Sequence, residues 1–181
     1  MAATMYICES NGTVPTVTMN VTSLNFGYSL TTAGDLTNLT ANLYPIPAAT
    51  SLGRSFEKWV RFNCSTMGAS TYVYNFKIYN SSSMGASAEI RTNASSTTTT
   101  ALVFPTSSGP STLNRETTYY YNVVLSTAIP TTPNVCIGGV NSSWLTGTSG
   151  YSDYVVFQLY ASSSATVGQT LTLSFQYDEV A

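Results

Sequence analysis

Along most of the chain, apolar residues recur at every second position over short runs, the period of a strand whose side chains alternate between two faces. Val17, Met19 and Val21 alternate with Thr and Asn, and Leu24, Phe26, Tyr28 and Leu30 continue that period. Over residues 54–63, Phe56, Lys58, Val60 and Phe62 fall on one face and Glu57, Trp59 and Arg61 on the other. In the next run Tyr72, Tyr74, Phe76 and Ile78 oppose Val73, Asn75, Lys77 and Tyr79. Further strands are expected over 88–92, 101–104, 117–125, 135–140, 154–160 and 170–177; in the last, Leu171, Leu173, Phe175 and Tyr177 share a face. Turn-forming clusters separate the runs, among them Asn11-Gly12, Ser107-Ser108-Gly109-Pro110 and Ser162-Ser163-Ser164.

About ten strands with no helical pattern between them predict an all-β fold, with two antiparallel sheets packed as a β-sandwich. A jelly-roll-like sandwich is the expectation, with an immunoglobulin-like Greek key as the alternative. Ten strands exceed the simplest immunoglobulin domain, and the Cys…Trp…Cys spacing of that fold does not occur. At 181 residues one domain spanning 1–181 is expected, with 1–14 and 178–181 as possible extended arms. Residues 1–10 carry neither a basic segment nor an apolar core of signal-peptide length, so no signal peptide is expected.

Composition changes the picture in one direction. Charged residues make up only 8% of the chain against a norm of about 25%, whereas 25 Ser and 29 Thr supply about 30%. The absence of histidine removes imidazole from acid–base catalysis, from nucleophilic triads and from metal ligation. Six Lys and Arg are too few to neutralise a phosphate backbone, and no apolar run is long enough to span a bilayer as a helix. Nucleic acid and membrane are therefore not expected as partners, and no cofactor is expected.

Site chemistry is sparse. Cys8, Cys64 and Cys136 fall short of a four-ligand zinc set; buried free thiols are expected, with one disulfide and one thiol left over as the alternative. Seven N-x-[ST] sequons are what a Ser/Thr-rich chain generates by chance. The eight carboxylates are expected at solvated strand ends, and no catalytic or metal-binding residue stands out. Three residues are candidate partner contacts: Trp59 and Arg61, whose side chains share a strand face, and Trp144, expected in a loop; a core ring that anchors the sheet is the other reading of Trp59, and the favoured one. Thirteen tyrosines, with large rings and polar tips, suit a surface that adheres to a partner.

The run Ser55-Phe-Glu-Lys-Trp-Val-Arg-Phe62 followed by Tyr74-Asn-Phe-Lys-Ile-Tyr79 resembles the central hairpin of accessory capsid (decoration or head-fibre) proteins of tailed bacterial and archaeal viruses. The closing Ala165-Thr-Val-Gly-Gln-Thr-Leu-Thr-Leu-Ser-Phe-Gln-Tyr177 resembles their last strand. The resemblance implies a non-enzymatic virion structural protein on the outer capsid surface, made in the host cytoplasm. It would bind the major capsid protein or other virion proteins, and would assemble as a homo-oligomer, with a trimer expected. A carbohydrate-binding or adhesin module and an extracellular filament subunit that donates a strand are the alternatives.

Overall fold

The computed structural model describes residues 2–10, 17–18, 21–24, 26, 53–55, 58–82, 87–92, 123–140, 143–147, 150–165 and 170–181. They form strands β1 (Thr4–Ser10), β2 (Val17–Thr18), β3 (Gly53–Arg54), β4 (Lys58–Thr66), β5 (Tyr72–Asn80), β6 (Ala88–Thr92), β7 (Val123–Val124), β8 (Trp144–Thr146), β9 (Gly150–Tyr151), β10 (Val155–Ala161) and β11 (Leu173–Val180). All pair antiparallel in two sheets. The large one runs β2-β1-β4-β10-β6-β7, with β3 on β10 and β9 on β4, and the small one runs β11-β5-β8. The expected all-β sandwich is the observed architecture.

The core lies between the sheets. Val60, Phe62 and Cys64 of β4, Ile90 of β6, and Val155 and Phe157 of β10 meet Val73, Phe76 and Ile78 of β5 and Leu145 of β8. Phe62 anchors it, with ring centroids 4.9 Å from Phe76 and 5.6 Å from Phe175. Leu171, Leu173, Phe175 and Tyr177 all pack against this cluster, as their period of two predicts.

Several expectations are corrected. The segments at 1–14 and 178–181 are not free arms where described: β1 pairs with β4 from Thr4 to Ser10, and Asp178, Glu179 and Val180 pair with Tyr74, Val73 and Tyr72. The apolar character of Met5, Ile7 and Cys8 accounts for β1, since leaving them in water forfeits their burial. β4 and β5 are not a hairpin. The loop between them crosses from one sheet to the other, so the two strands face each other across the core. Residues 135–140 turn back tightly at Gly138-Gly139, with Ile137 bridged to Val140 and both glycines at positive φ (60° and 82°). The expected strands at 101–104 and most of 117–125 lie outside the described residues.

The strand expected at 54–63 is divided, and Ser55 holds the break together. Its N–H donates to Leu159 O at 2.9 Å, its hydroxyl accepts the Leu159 N–H at 2.9 Å, and its carbonyl accepts from Gln158 Nε2 at 2.8 Å. Ser55 is fully buried, as a residue standing in for a ladder partner must be.

Candidate functional site

A bulge in β5 decides what the small sheet shows to solvent. Strict alternation would put Tyr72, Tyr74, Phe76 and Ile78 on one face. Instead Gln176 pairs with Lys77 while Asp178 pairs with Tyr74, so Asn75 and Phe76 together oppose Tyr177. Asn75 takes a left-handed backbone at φ 57°, and its side-chain amide donates to the Asp178 carboxylate. Asn tolerates this region better than most residues. The extra residue switches the parity of the strand: Val73 joins Phe76 and Ile78 in the core, and Tyr72 and Tyr74 turn outward.

Trp144 meets them there. It lies in strand β8 rather than in the expected loop, paired with Tyr74, while its neighbour Leu145 fills the core. The indole is 57% exposed and is the most prominent aromatic among the described residues. The Tyr72 and Trp144 rings lie 6.3 Å apart at 50°, and the Tyr72 and Tyr74 rings 5.5 Å apart at 60°. Three angled rings thus form a cradle on the outer face, with Asp178, Gln176 and Val180 of β11 bordering it on the far side of β5.

The other two expected contacts go elsewhere. Trp59 and Arg61 both lie on the outer face of the large sheet and both are 7% exposed, so neither offers a surface. Tyr154 touches both, with its ring 5.6 Å from Trp59 and 4.6 Å from the Arg61 guanidinium, which also lies over the Tyr151 ring at 3.8 Å. The cation thus rests on phenol rings. Cys8, Val156 and Gln158 on the same face are fully buried, so this sheet is covered on both sides. A period-two pattern read as half solvated gave no sign of that.

Charged groups are likewise drawn inward, which corrects the expectation that all carboxylates sit at solvated strand ends. Glu9 is 2% exposed and its Oε1 lies 2.6 Å from Lys58 Nζ, itself 1% exposed. Burial raises the Glu9 carboxyl and lowers the Lys58 amine, each opposed by the other's charge. Asp153 is 3% exposed, and its two carboxylate oxygens accept the Gly138 N–H at 3.1 Å and the Gly139 N–H at 2.6 Å. The glycine pair is therefore an anion-binding turn occupied from within the chain. Glu89 pairs with Arg91 at 2.6 Å on the partly exposed surface. Asp35, Glu57 and Glu116 lie outside the described residues.

Cys8 and Cys64 are buried thiols outside any disulfide, on opposite faces of the large sheet, and burial raises both. Half-buried Cys136 is pushed up to about 11 by burial and by the neighbouring Asp153 carboxylate. Two sequon asparagines are buried and used internally: Asn63 Nδ2 donates to Gly150 O at 3.3 Å, and Asn80 Oδ1 accepts the Ser82 N–H at 3.2 Å. Neither has room for a glycan. Among the described residues no three His, Cys, Asp or Glu side chains converge as a metal site, and no helix is long and apolar enough to cross a membrane.

No protein-family model, curated protein or solved structure matches this chain.

Proposed function

We propose that this protein is a non-enzymatic structural component of a virion, a jelly-roll-like sandwich that binds the outer capsid and decorates or reinforces it as a homo-oligomer. The observation that carries the reading is where its charge is spent. Glu9 holds Lys58, Asp153 holds the Gly138-Gly139 turn, Asp178 holds Asn75, and Glu179 accepts from Ala3 and Ser70. Arg61 lies over the Tyr151 and Tyr154 rings, and Arg91 pairs with Glu89. These groups tie strands and turns together, and no pair of them is poised toward a common reactant. The scarcity of charge and the abundance of Ser and Thr suit repeated copies packing on a lattice without charge repulsion. The resemblance of 165–177 to the last strand of accessory capsid proteins adds to the reading, whereas that of 55–62 and 74–79 to their central hairpin does not, since β4 and β5 lie in different sheets.

The test is binding to particles. Genes flanking its own are expected to encode portal, terminase and major capsid proteins. Particles assembled from that capsid protein are expected to retain the purified chain on sedimentation and to withstand heating better with it than without. Particles that do not retain it, and are no less stable without it, overturn the proposal. Sedimentation equilibrium on the free chain is expected to give the mass of a trimer.

A further inference from the structure

We propose that the outer face of the small sheet is a binding site for a neutral oligosaccharide, stacked on Tyr72, Tyr74 and Trp144 and hydrogen-bonded by Asp178 and Gln176. This goes beyond a role on the capsid, because it gives the particle's accessory protein a ligand of its own.

The register builds the site. Asp178, Tyr74 and Trp144 lie on one rung across β11, β5 and β8, so a carboxylate, a phenol and an indole stand in line on the same face. Val180, Tyr72 and Thr146 form the next rung, and Gln176 with Lys77 the one on the other side. Neighbouring strands are spaced by about 4.8 Å, so a three-strand rung is roughly 10 Å wide, the reach of a disaccharide.

The chemistry of the face selects its occupant. Sugar rings carry C–H groups on their faces and hydroxyls around their rims. Aromatic faces, which are electron-rich, attract the first, and carboxylate and amide side chains bond the second. The Tyr72 ring is inclined by 60° to Tyr74 and by 50° to Trp144, so the rings do not form a flat slab, which suits a chain that twists between successive sugars. Among the described residues the face carries the Asp178 carboxylate and no exposed cation, since Lys77, the nearest by register, is 8% exposed. An anionic polymer finds no basic surface there. The area also argues against a protein partner. β5 has nine residues, so the face extends about 30 Å by 10 Å, or ~300 Å², well below the ~800 Å² that each partner contributes to a standard protein interface.

The experiment is affinity electrophoresis and equilibrium binding of the full chain against laminarin, mannan, xylan, dextran and soluble starch, with heparin as the charged control. At least one neutral glycan is expected to retard the protein while heparin does not. Trp144→Ala and Tyr74→Ala are each expected to weaken that binding about tenfold or more, and Trp144→Phe to stay within about threefold of the parent. Far-ultraviolet circular dichroism and thermal melting identify variants that fold. The bound glycan is also expected to shield Trp144 from acrylamide quenching, which needs no variant. Failure of every neutral glycan to bind, binding that Trp144→Ala leaves intact, or preferential retention by heparin overturns the proposal. So does a Trp144→Ala chain that loses capsid particles while no glycan binds, since the face would then be a protein contact. Capsid retention is scored separately, so the two proposals fail independently.

Discussion

Lys58 and Glu9 form an ion pair of 2.6 Å inside the sandwich, joining β4 to β1 where both side chains are essentially closed to water. Such a pair stabilises little in net terms, because desolvation of two ions offsets most of their attraction, yet removing one partner strands the other. Lys58→Met and Glu9→Leu are each expected to cost about 3–5 kcal/mol. The double variant is expected to return to within about 1 kcal/mol of the parent or to exceed it. Urea denaturation of the four proteins measures this, and additive losses would show that the pair is not coupled.

Asn75 is the hinge of the aromatic face. Asn75→Gly is expected to be nearly neutral, since Gly adopts positive φ without penalty and the lost bond to Asp178 is partly exposed. Asn75→Val is expected to cost roughly 1–2 kcal/mol or more, because a β-branched side chain clashes in the left-handed region. Denaturant midpoints distinguish the two. Equal losses would mean that the hydrogen bond, not the backbone conformation, holds the bulge.

Asp153 replaces the water that the Gly138 and Gly139 amides would otherwise bind. Asp153→Ala leaves two partly buried donors without a carboxylate and is expected to cost about 3 kcal/mol. Gly138→Ala is expected to lose roughly 1–2 kcal/mol, from its φ of 60° alone, since an added Cβ there meets nothing within 4 Å. A Gly138→Ala chain as stable as the parent would show that the turn is not held in this form.

Glu179 links the two ends of the chain. Its Oε2 accepts the Ala3 N–H and the Ser70 hydroxyl, both at 2.8 Å, and these bonds hold its carboxyl below the ordinary glutamate range. A depressed folded value means stabilisation that is present above the unfolded value and lost as pH falls through the folded one. The parent is therefore expected to melt higher than Glu179→Gln at neutral pH. The gap should close on acidification, through the window between the ordinary glutamate value and the depressed one. A gap that does not change with pH would place the effect elsewhere.

The thiols are expected to be inert while the protein is folded. With its value near 11, Cys136 is about 0.1% thiolate at pH 8, and burial closes Cys8 and Cys64. A chromogenic disulfide reagent is expected to titrate all three only after denaturation. A fast-reacting thiol in the native chain would contradict this placement.

The sequence by itself determined the all-β class, the positions of β5, β6 and β10, and the core-facing row Leu171, Leu173, Phe175 and Tyr177, because side-chain alternation is a property of a single strand. The exposure of Trp144 was also legible, from a large ring set among Ser, Thr and Asn. Tertiary structure decided the rest. Whether a strand's second face meets water depends on what covers it, so the burial of Trp59 and Arg61 had no local signal. The parity of β5 depends on an opposing strand one residue shorter at the bulge, and only pairing with β11 reveals it. Thr4–Ser10 became a ladder strand because β4 offered it an edge. Pairing and coverage are relations between distant segments, and no window along the chain contains them.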